Sequence, residues 1–484
     1  MAADGAGATR PIGPLGRGRR RRDGVALLLV LALSATTAAC GARWSDDERE
    51  FVANRGRGSG AAADDAGSAT DGGGAVSTTV PGAADGGATT GGTTGGSTGG
   101  GTTTGGGTGG ASGPRPCAAA SKAPGVTAST ITVGAINTIS GPLPGLAETS
   151  AAASRAYVAY LNATGGVCGR QVVLKSGDDG FENSRYRALI TSMNPQILGI
   201  AGGLGSGDGG GVDIVTNEKI PVVATATADT FQAAPTVFDI NPPFANIHAQ
   251  IGKYKYLYAQ GVRTAALVYI DNAIVRTQVV QQKAQMEAVG IKIVNEQALP
   301  LSTISYDAAA RAVANSKADY LFYPAAGNLN STMARAMYDT GYKLKYLELI
   351  SGYGSDFIEV AGKPAAERAV TWIRSLPTEE GGSNPETARF VEWMGRVAPG
   401  VRPDYFAADA WAASKAFFDS VKALPGPISR DALIAQLRGT GTYDADGFFG
   451  PIQLGKKLSN GCYVMMQVIN GEWKRITPDR GFIC

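Results

Sequence analysis

Histidine is nearly absent: His248 is the only one in 484 residues. A hydrolase of the Ser-His-Asp or Cys-His kind would have to use that single imidazole. The chain also has no G-x-S-x-G elbow between a strand and a helix, the one such spelling, Gly95 to Gly99, lying in a glycine/threonine run, and it has no H-E-x-x-H zinc pair. His248 is read as a packing residue, and no catalytic residue is expected. Close cysteine pairs are lacking as well. The five cysteines show no C-x-x-C spacing, so neither a metal site nor a cofactor is expected. The adjacent acids Asp178 and Asp179 do not face one another across a cleft, and capping the following helix is the role expected of them.

An excess of positive charge is lacking. The net charge is +3, and the residues before Cys40 hold six arginines against two aspartates, a net of +4. That leaves the remainder near −1, without the basic face that nucleic acid requires. Long apolar runs are lacking too. The N-terminal run "VALLLVLAL", residues 25–33, is too short to span a bilayer. Arginines precede it and "SATTAAC" follows, the pattern of a signal peptide over residues 1–39. Thr37-Ala38-Ala39-Cys40 resembles a lipobox, with Thr37 where leucine is usual. Cys40 is expected to carry lipid and to hold the chain at the outer face of the cell membrane.

What the chain has in abundance is glycine, 68 residues of it. Much of it lies in "TTGGTTGGSTGGGTTTGGG" and its surroundings, which offer no apolar set for a core. Residues 40–116 are read as a lipidated N-terminus and a disordered linker, with an r.m.s. span of about 40 Å for its flexible part. From Cys117 the pattern changes to strand-like runs alternating with helical ones, "ITVGAI", "ETSAAASRAYVAYLNA", "RQVVLKS" and onward. Such alternation predicts parallel sheets covered by helices. Two sets of it flank "NPPFANIHAQ", and "VINGEW" near the end predicts a hairpin with Asn470-Gly471 at the turn.

Four cysteines fall in the folded part. Cys117 precedes the first strand and Cys168 the second, and neighbouring parallel strands start at one edge. Cys462 and Cys484 flank the terminal hairpin. The expected disulfides are Cys117–Cys168 and Cys462–Cys484.

Within "AGGLGSGDGGG", Gly205, Gly207 and Gly210 spell G-x-G-x-x-G. A dinucleotide enzyme needs that loop after its first strand, and here two strands precede it. Glycine-exposed amides beside a helix start favour an anion of another kind.

Residues from about 129 to 484 resemble the type I extracytoplasmic solute-binding proteins of ABC transporters, in particular the leucine/isoleucine/valine-binding group. The likeness rests on "ITVGAINTISGPLPG", "YLNATGGVCGRQVVLKSGDDGFENSRYR", "IPVVATATADT" and "GTYDADGFFGPIQL", in that order and spacing. It implies an α/β fold of two doubly wound parallel-sheet lobes joined by a three-stranded hinge. Lobe one would hold 117–247 and 377–447, and lobe two 248–376 and 448–484. The crossings would lie near 241–248, 374–378 and 446–450. The implied function is delivery of a small solute to an ABC permease by hinge closure, from a lipid-anchored and monomeric protein that is not an enzyme. The alternative is a ligand-sensing or interaction module of the same fold without a transport role.

The resemblance also implies a site. Ser206 and the amide of Gly207 match the loop that holds a ligand carboxylate. Ala226 and Thr227, with a one-residue margin that admits Thr225 or Ala228, match its second half, and Ser140 lies on a third loop. In lobe two the acid that pairs with a ligand ammonium is replaced by Tyr353, with Tyr269, Asp271, Asn272 and Tyr323 as further cleft candidates. A buried ammonium without a counter-charge is costly. The expected solute is therefore a carboxylate with an apolar or aromatic body.

Overall fold

The computed structural model describes residues 116–243, 249–271, 273–300, 302–325, 328–354 and 356–484. These belong to one compact unit, Gly105–Cys484. Cys40, the signal peptide, the linker, His248 and Asn272 lie outside the described residues.

The first sheet is parallel throughout, in the order β2-β1-β3-β4-β5. Its strands are β1 (Thr130–Asn137), β2 (Gln171–Asp178), β3 (Ile200–Leu204), β4 (Val222–Thr225) and β5 (Val237–Asp239). Every residue of β3 and β4 is buried, as expected of strands covered on both faces. Alternation sorts their side chains. Ala201 and Val223 face the helices Glu148–Ala163 and Tyr405–Lys422, whereas Ile200 and Val222 face Asn183–Met193 and its neighbours. The helix Tyr405–Lys422 is the central pillar: Trp411 meets Tyr157 edge-on at 4.8 Å and donates to Glu386 Oε1 at 2.7 Å.

The second sheet contains β6 (Thr264–Ile270), β7 (Lys292–Leu299), β8 (Tyr320–Tyr323), β9 (Tyr346–Leu349) and β10 (Ala369–Ile373), all parallel. The hairpin of β14 (Val464–Ile469) and β15 (Glu472–Thr477) completes it as an antiparallel edge. Asn470 and Gly471 both have positive φ at its turn, the geometry that the dipeptide favours. Both sheets are thus α/β layers, and the expected fold class holds apart from this antiparallel edge.

The register of β1 on β2 pairs Thr130 with Gln171, which brings the two strand starts together. Both expected disulfides form there and around the hairpin, Cys117–Cys168 and Cys462–Cys484. Arg170 pins the first by donating to the carbonyls of Cys117 and Cys168, each at 3.1 Å. The bridges close sequence separations of 51 and 22 residues. Loop-closure entropy then predicts that Cys168→Ala costs about 4 kcal/mol and Cys484→Ala about 3 kcal/mol. Urea midpoints under non-reducing conditions check this, and midpoints unmoved by either change would contradict it.

The third crossing differs from the expectation. The resemblance puts residues 448–454 in lobe two, yet Phe448, Phe449, Ile452 and Leu454 are buried in the first body's core. Phe448 packs on Phe390 at 5.2 Å between ring centroids. The strands β11 (Thr442–Tyr443), β12 (Ile452–Gln453) and β13 (Leu458–Ser459) form a small antiparallel sheet on that side. Four apolar side chains in one short stretch need a core, and the one within reach is beneath the helix Pro385–Val397. The chain crosses only at 459–463, where Ser459 N donates to Pro243 O at 2.9 Å beside the first crossing. The second crossing, from Arg374, pairs with 448–449, with Leu376 N donating to Phe448 O at 2.8 Å.

Candidate functional site

The first crossing leaves β5 at its C-terminal end, and the second leaves β10 at its C-terminal end. The C-terminal edges of the two parallel sheets therefore both look toward the hinge. This is where open α/β sheets carry their ligands.

On the first lobe the structure brings together Ser140, Ser206, Gly207, Thr225, Ala226 and Thr227, at the ends of β1, β3 and β4. It also brings four aspartates that accept from Ser140, Gly207, Ala226 and Thr227. Gly207 N donates to Asp179 Oδ2 at 2.8 Å. Thr227 N donates to Asp208 Oδ2 at 2.6 Å, and the Thr227 hydroxyl and Ala228 N donate to Asp208 Oδ1 at 2.9 and 3.0 Å. Ala226 N donates to Asp239 Oδ1 at 3.1 Å. The Ser140 hydroxyl donates to Asp178, which also accepts from the amides of Ile139, Ser140 and Gly180. Ser206 N donates to Thr138 Oγ1 at 2.7 Å.

Asp178 and Asp179 thus tie three loops together and do not cap the following helix, whose N-cap residue is Glu182. The glycines of "GLGSGDGGG" serve close packing. A Cβ at Gly207 would fall on Glu182 O, and one at Gly210 on Asn183 O. Burial pushes the Asp208 carboxyl up to about 6 despite the bonds from Thr227 and Ala228. Burial likewise raises Asp239. Against the same effect, the Ser140 hydroxyl and the loop amides hold Asp178 well below the usual range. A ligand carboxylate placed on these loops would meet filled amides and two buried carboxylates, Asp179 and Asp208, in a low-dielectric setting. The anion-cradle expectation for Gly207 and Thr227 does not fit this geometry.

On the second lobe Tyr353 is buried and committed. Its hydroxyl donates to Glu379 Oε2 at 2.7 Å and accepts from Thr378 N at 2.8 Å, just past the second crossing. Asp271 is ion-paired with Arg276 at the surface. Tyr269 packs on the sheet face of Tyr254 and Leu267. The structure does not gather these three around one point.

Tyr323, the last residue of β8, is different. It is fully buried, and Tyr306 meets it edge-on at 5.8 Å. Tyr306 directly precedes the helix Asp307–Ser316, and Asn330 sits in the first turn of Asn328–Asp339. Asn330 shares a helix face with Met333 and Ala334, which pack in the cluster that holds both tyrosines. Among the described residues, both polar side-chain atoms of Asn330 are buried without a hydrogen-bond partner. Burial, then the side-chain hydrogen bond with Tyr306, pushes the Tyr323 phenol up. Sequence reasoning misses Tyr306 and Asn330. The signal available for Asn330 is a polar residue on the apolar stripe of "NLNSTMARAM".

Between the lobes, Arg374 at the second crossing donates to Asp409 Oδ2 at 2.7 Å, both side chains buried. The guanidinium lies over the Tyr405 ring at 4.7 Å. Burial pushes Asp409 up to about 7, with Arg374 opposing and Asp239 and Asp404 adding to the rise. Among the described residues no group of His, Cys, Asp and Glu is arranged to hold a metal ion.

A family model described as periplasmic binding protein matches residues 130–472. No curated protein matches the chain. Solved structures match across the folded part. A fatty acid ABC transporter substrate-binding protein from Thermomonospora curvata has a TM-score of 0.65 at 18% identity, covering 75% of this chain and 94% of that one. The leucine binding protein LivK from Thermotoga maritima has a TM-score of 0.59 at 16% identity, covering 72% of this chain and 98% of that one. LivJ from Streptococcus pneumoniae, a branched-chain amino acid transporter substrate-binding protein in complex with isoleucine, has 0.59 at 16% identity, covering 72% and 100%. At such identities the likeness is one of fold.

Proposed function

The chain belongs to the periplasmic binding protein family, and from that premise we propose that it is an exported, lipid-anchored receptor that binds a small solute between its lobes and delivers it to an ABC permease. The observation that supports this reading is that the chain leaves both parallel sheets at the C-terminal ends of their strands, β5 and β10, where it passes from one to the other, an arrangement suited to hinge closure. The known relatives named for fatty acid, leucine and isoleucine support the solute class only broadly, since each of those bears a carboxylate. The carboxylate expected from the sequence has no open amide to receive it among the first-lobe donors described above. Residues 1–39 supply the export signal and Cys40 the anchor. Among the described residues no helix is long and apolar enough to cross a membrane.

A thermal-shift screen of amino acids, carboxylic acids, amides and sugars tests the binding role. Ligand at 100 times its Kd stabilises by about 2.7 kcal/mol. Small-angle scattering of the best ligand's complex should show a smaller radius of gyration than the free protein. A broad screen with no stabilising compound would remove the binding reading. Cys40→Ala is expected to move the protein from the membrane fraction to the medium or to leave it unprocessed. A variant that fractionates like the parent would remove the anchor.

A further inference from the structure

We propose that the C-terminal tail, residues 478–484, is a strap across the hinge, and that the Cys462–Cys484 disulfide is its latch, opened by an external dithiol. The inference goes beyond solute binding and rests on the hinge-closure reading. One short segment touches all three crossings. Cys462 lies on the third. Its neighbour Gly461 packs on the end of the first, where an added Cβ would sit 2.7 Å from Ala249 O. A Cβ at Gly450 would sit 2.9 Å from Cys462 O and 3.3 Å from Arg374 O, so the second crossing abuts the same cysteine. The tail is fastened to this junction. Tyr463 and Ile483 exchange backbone hydrogen bonds at 2.9 and 3.0 Å, and Cys484 is bonded to Cys462. The Ile483 side chain reaches the helix Ile251–Ala259 that follows the first crossing, its Cδ1 3.3 Å from where a Gly252 Cβ would lie. Arg475 holds the start of the tail by donating to Pro478 O and Gly481 O, each at 3.0 Å. The same guanidinium donates to both carboxylate oxygens of Glu380, just past the second crossing, at 2.6 and 2.8 Å.

The two disulfides differ in access. Cys484 is exposed, whereas Cys117 and Cys168 are both buried. Exposed bridges are the labile ones. A thiolate of the dithiol attacks Cys484 Sγ, the bond to Cys462 breaks, and Cys462 leaves as a thiolate that takes a proton. The second thiol of the reductant then displaces Cys484 from the mixed disulfide. The protein gains two thiols and the dithiol becomes a disulfide, so the two-electron exchange balances. Oxidising surroundings keep the latch shut. Once it opens, only the Ile483 and Arg475 contacts hold the tail. Those contacts belong to the arrangement in which Tyr353 is bonded to Thr378 and Glu379. Releasing the strap therefore favours a more open hinge and lowers apparent affinity by depopulating the competent state.

Hydrogen exchange of the full chain, without solute, tests the strap. The reporters are the backbone amides of Ser459, which donates to Pro243 O, of Leu376, which donates to Phe448 O, and of Thr378, which donates to the Tyr353 hydroxyl. Dithiothreitol, at a level that alkylation and peptide mapping show to open Cys462–Cys484 alone, is expected to speed all of them at least about tenfold. Reoxidation should restore the slow rates. Cys484→Ala should match the reduced protein without any reductant. Arg475→Gln should act in the same direction and serves if Cys484→Ala fails to fold. Cys168→Ala is the control, because it removes the bridge at the N-terminal edge of the first sheet, away from the hinge, at a stability cost at least as large. It should leave the reporter amides unchanged. Amides indifferent to reduction, or quickened equally by Cys168→Ala, would make the terminal bridge a staple of stability and overturn the strap. Reduction of Cys117–Cys168 before Cys462–Cys484 would overturn the latch. No solute is added, so these outcomes are independent of the solute screen, whose failure would remove the receptor reading instead.

Discussion

Arg374→Met is expected to destabilise the folded body by about 3–5 kcal/mol at pH 8 and by much less at pH 5. Among the described residues the guanidinium is the one cation paired with Asp409, and the pair is 3% and 1% exposed. Removing it leaves Asp409 ionised in the interior near Asp239 and Asp404, the two acids that already raise it. The cost depends on whether Asp409 holds a proton. Burial pushes Asp409 up to about 7, and Asp404 and Asp208 each up to about 6. In the unfolded chain these acids release their protons near pH 4. Between about pH 4 and 7 the folded form therefore binds more protons than the unfolded one. Stability falls as pH rises through that window. At pH 5 Asp409 is protonated in the folded protein and asks little of Arg374. The unmodified protein should likewise melt higher at pH 5 than at pH 8. Below pH 4 the order reverses, because Asp178 and Asp319, held low by their hydrogen bonds, must then be protonated. Urea unfolding of both proteins at pH 5, 6, 7 and 8 measures this. Equal costs of Arg374→Met at pH 5 and pH 8 would show that Asp409 is not the group that needs the charge.

The parts of this architecture that are local in sequence are legible in the amino-acid order itself. Alternating runs name the strands, Asn470-Gly471 names the hairpin, and strand starts name both disulfides, because each depends on neighbours or on a simple sheet edge. The third crossing is not legible in this way. "DADGFFGPIQL" reads as a linker until Phe448 and Phe449 are seen to share a core with Phe390, whose helix begins some sixty residues earlier. The site is legible in place but not in chemistry. The glycine loop does lie at the hinge-facing edge. That its amide at Gly207 is already spent on Asp179, 28 residues away, is a tertiary fact no spacing rule contains. Asn330 is hidden for a related reason: a single polar residue in a helix reads as solvated until the buried face is known.

Gly354→Ala is expected to weaken solute binding roughly 5- to 150-fold while the free protein still folds. The loop after β9 lies on the first lobe at Asp404, the N-cap of the helix Tyr405–Lys422. Asp404 is fixed there by accepting from Thr149 Oγ1 at 2.6 Å and from Ala407 N at 2.9 Å. A Cβ at Gly354 would fall on the Asp404 side chain, with its Cα at 2.8 Å, and the glycine has φ +126, which disfavours any other residue. The next residue back, Tyr353, fastens the same loop to Thr378 and Glu379. Parting this contact costs the closed arrangement about 1–3 kcal/mol in strain and overlap. The open arrangement does not pay it. A receptor whose binding-competent state is less populated loses apparent affinity by that factor, and each 1.4 kcal/mol is about tenfold. Gly362→Ala is the control, since its φ is +84 but no atom lies within 4 Å of the added carbon. It carries backbone strain without the interlobe clash, so it should lower the melting temperature and leave affinity nearly intact. Small-angle scattering of the free Gly354→Ala protein should show a larger radius of gyration than the parent. If Gly354→Ala binds as tightly as Gly362→Ala, the contact at Asp404 is not part of closure, and the lobes must meet around the solute elsewhere along the two strand edges.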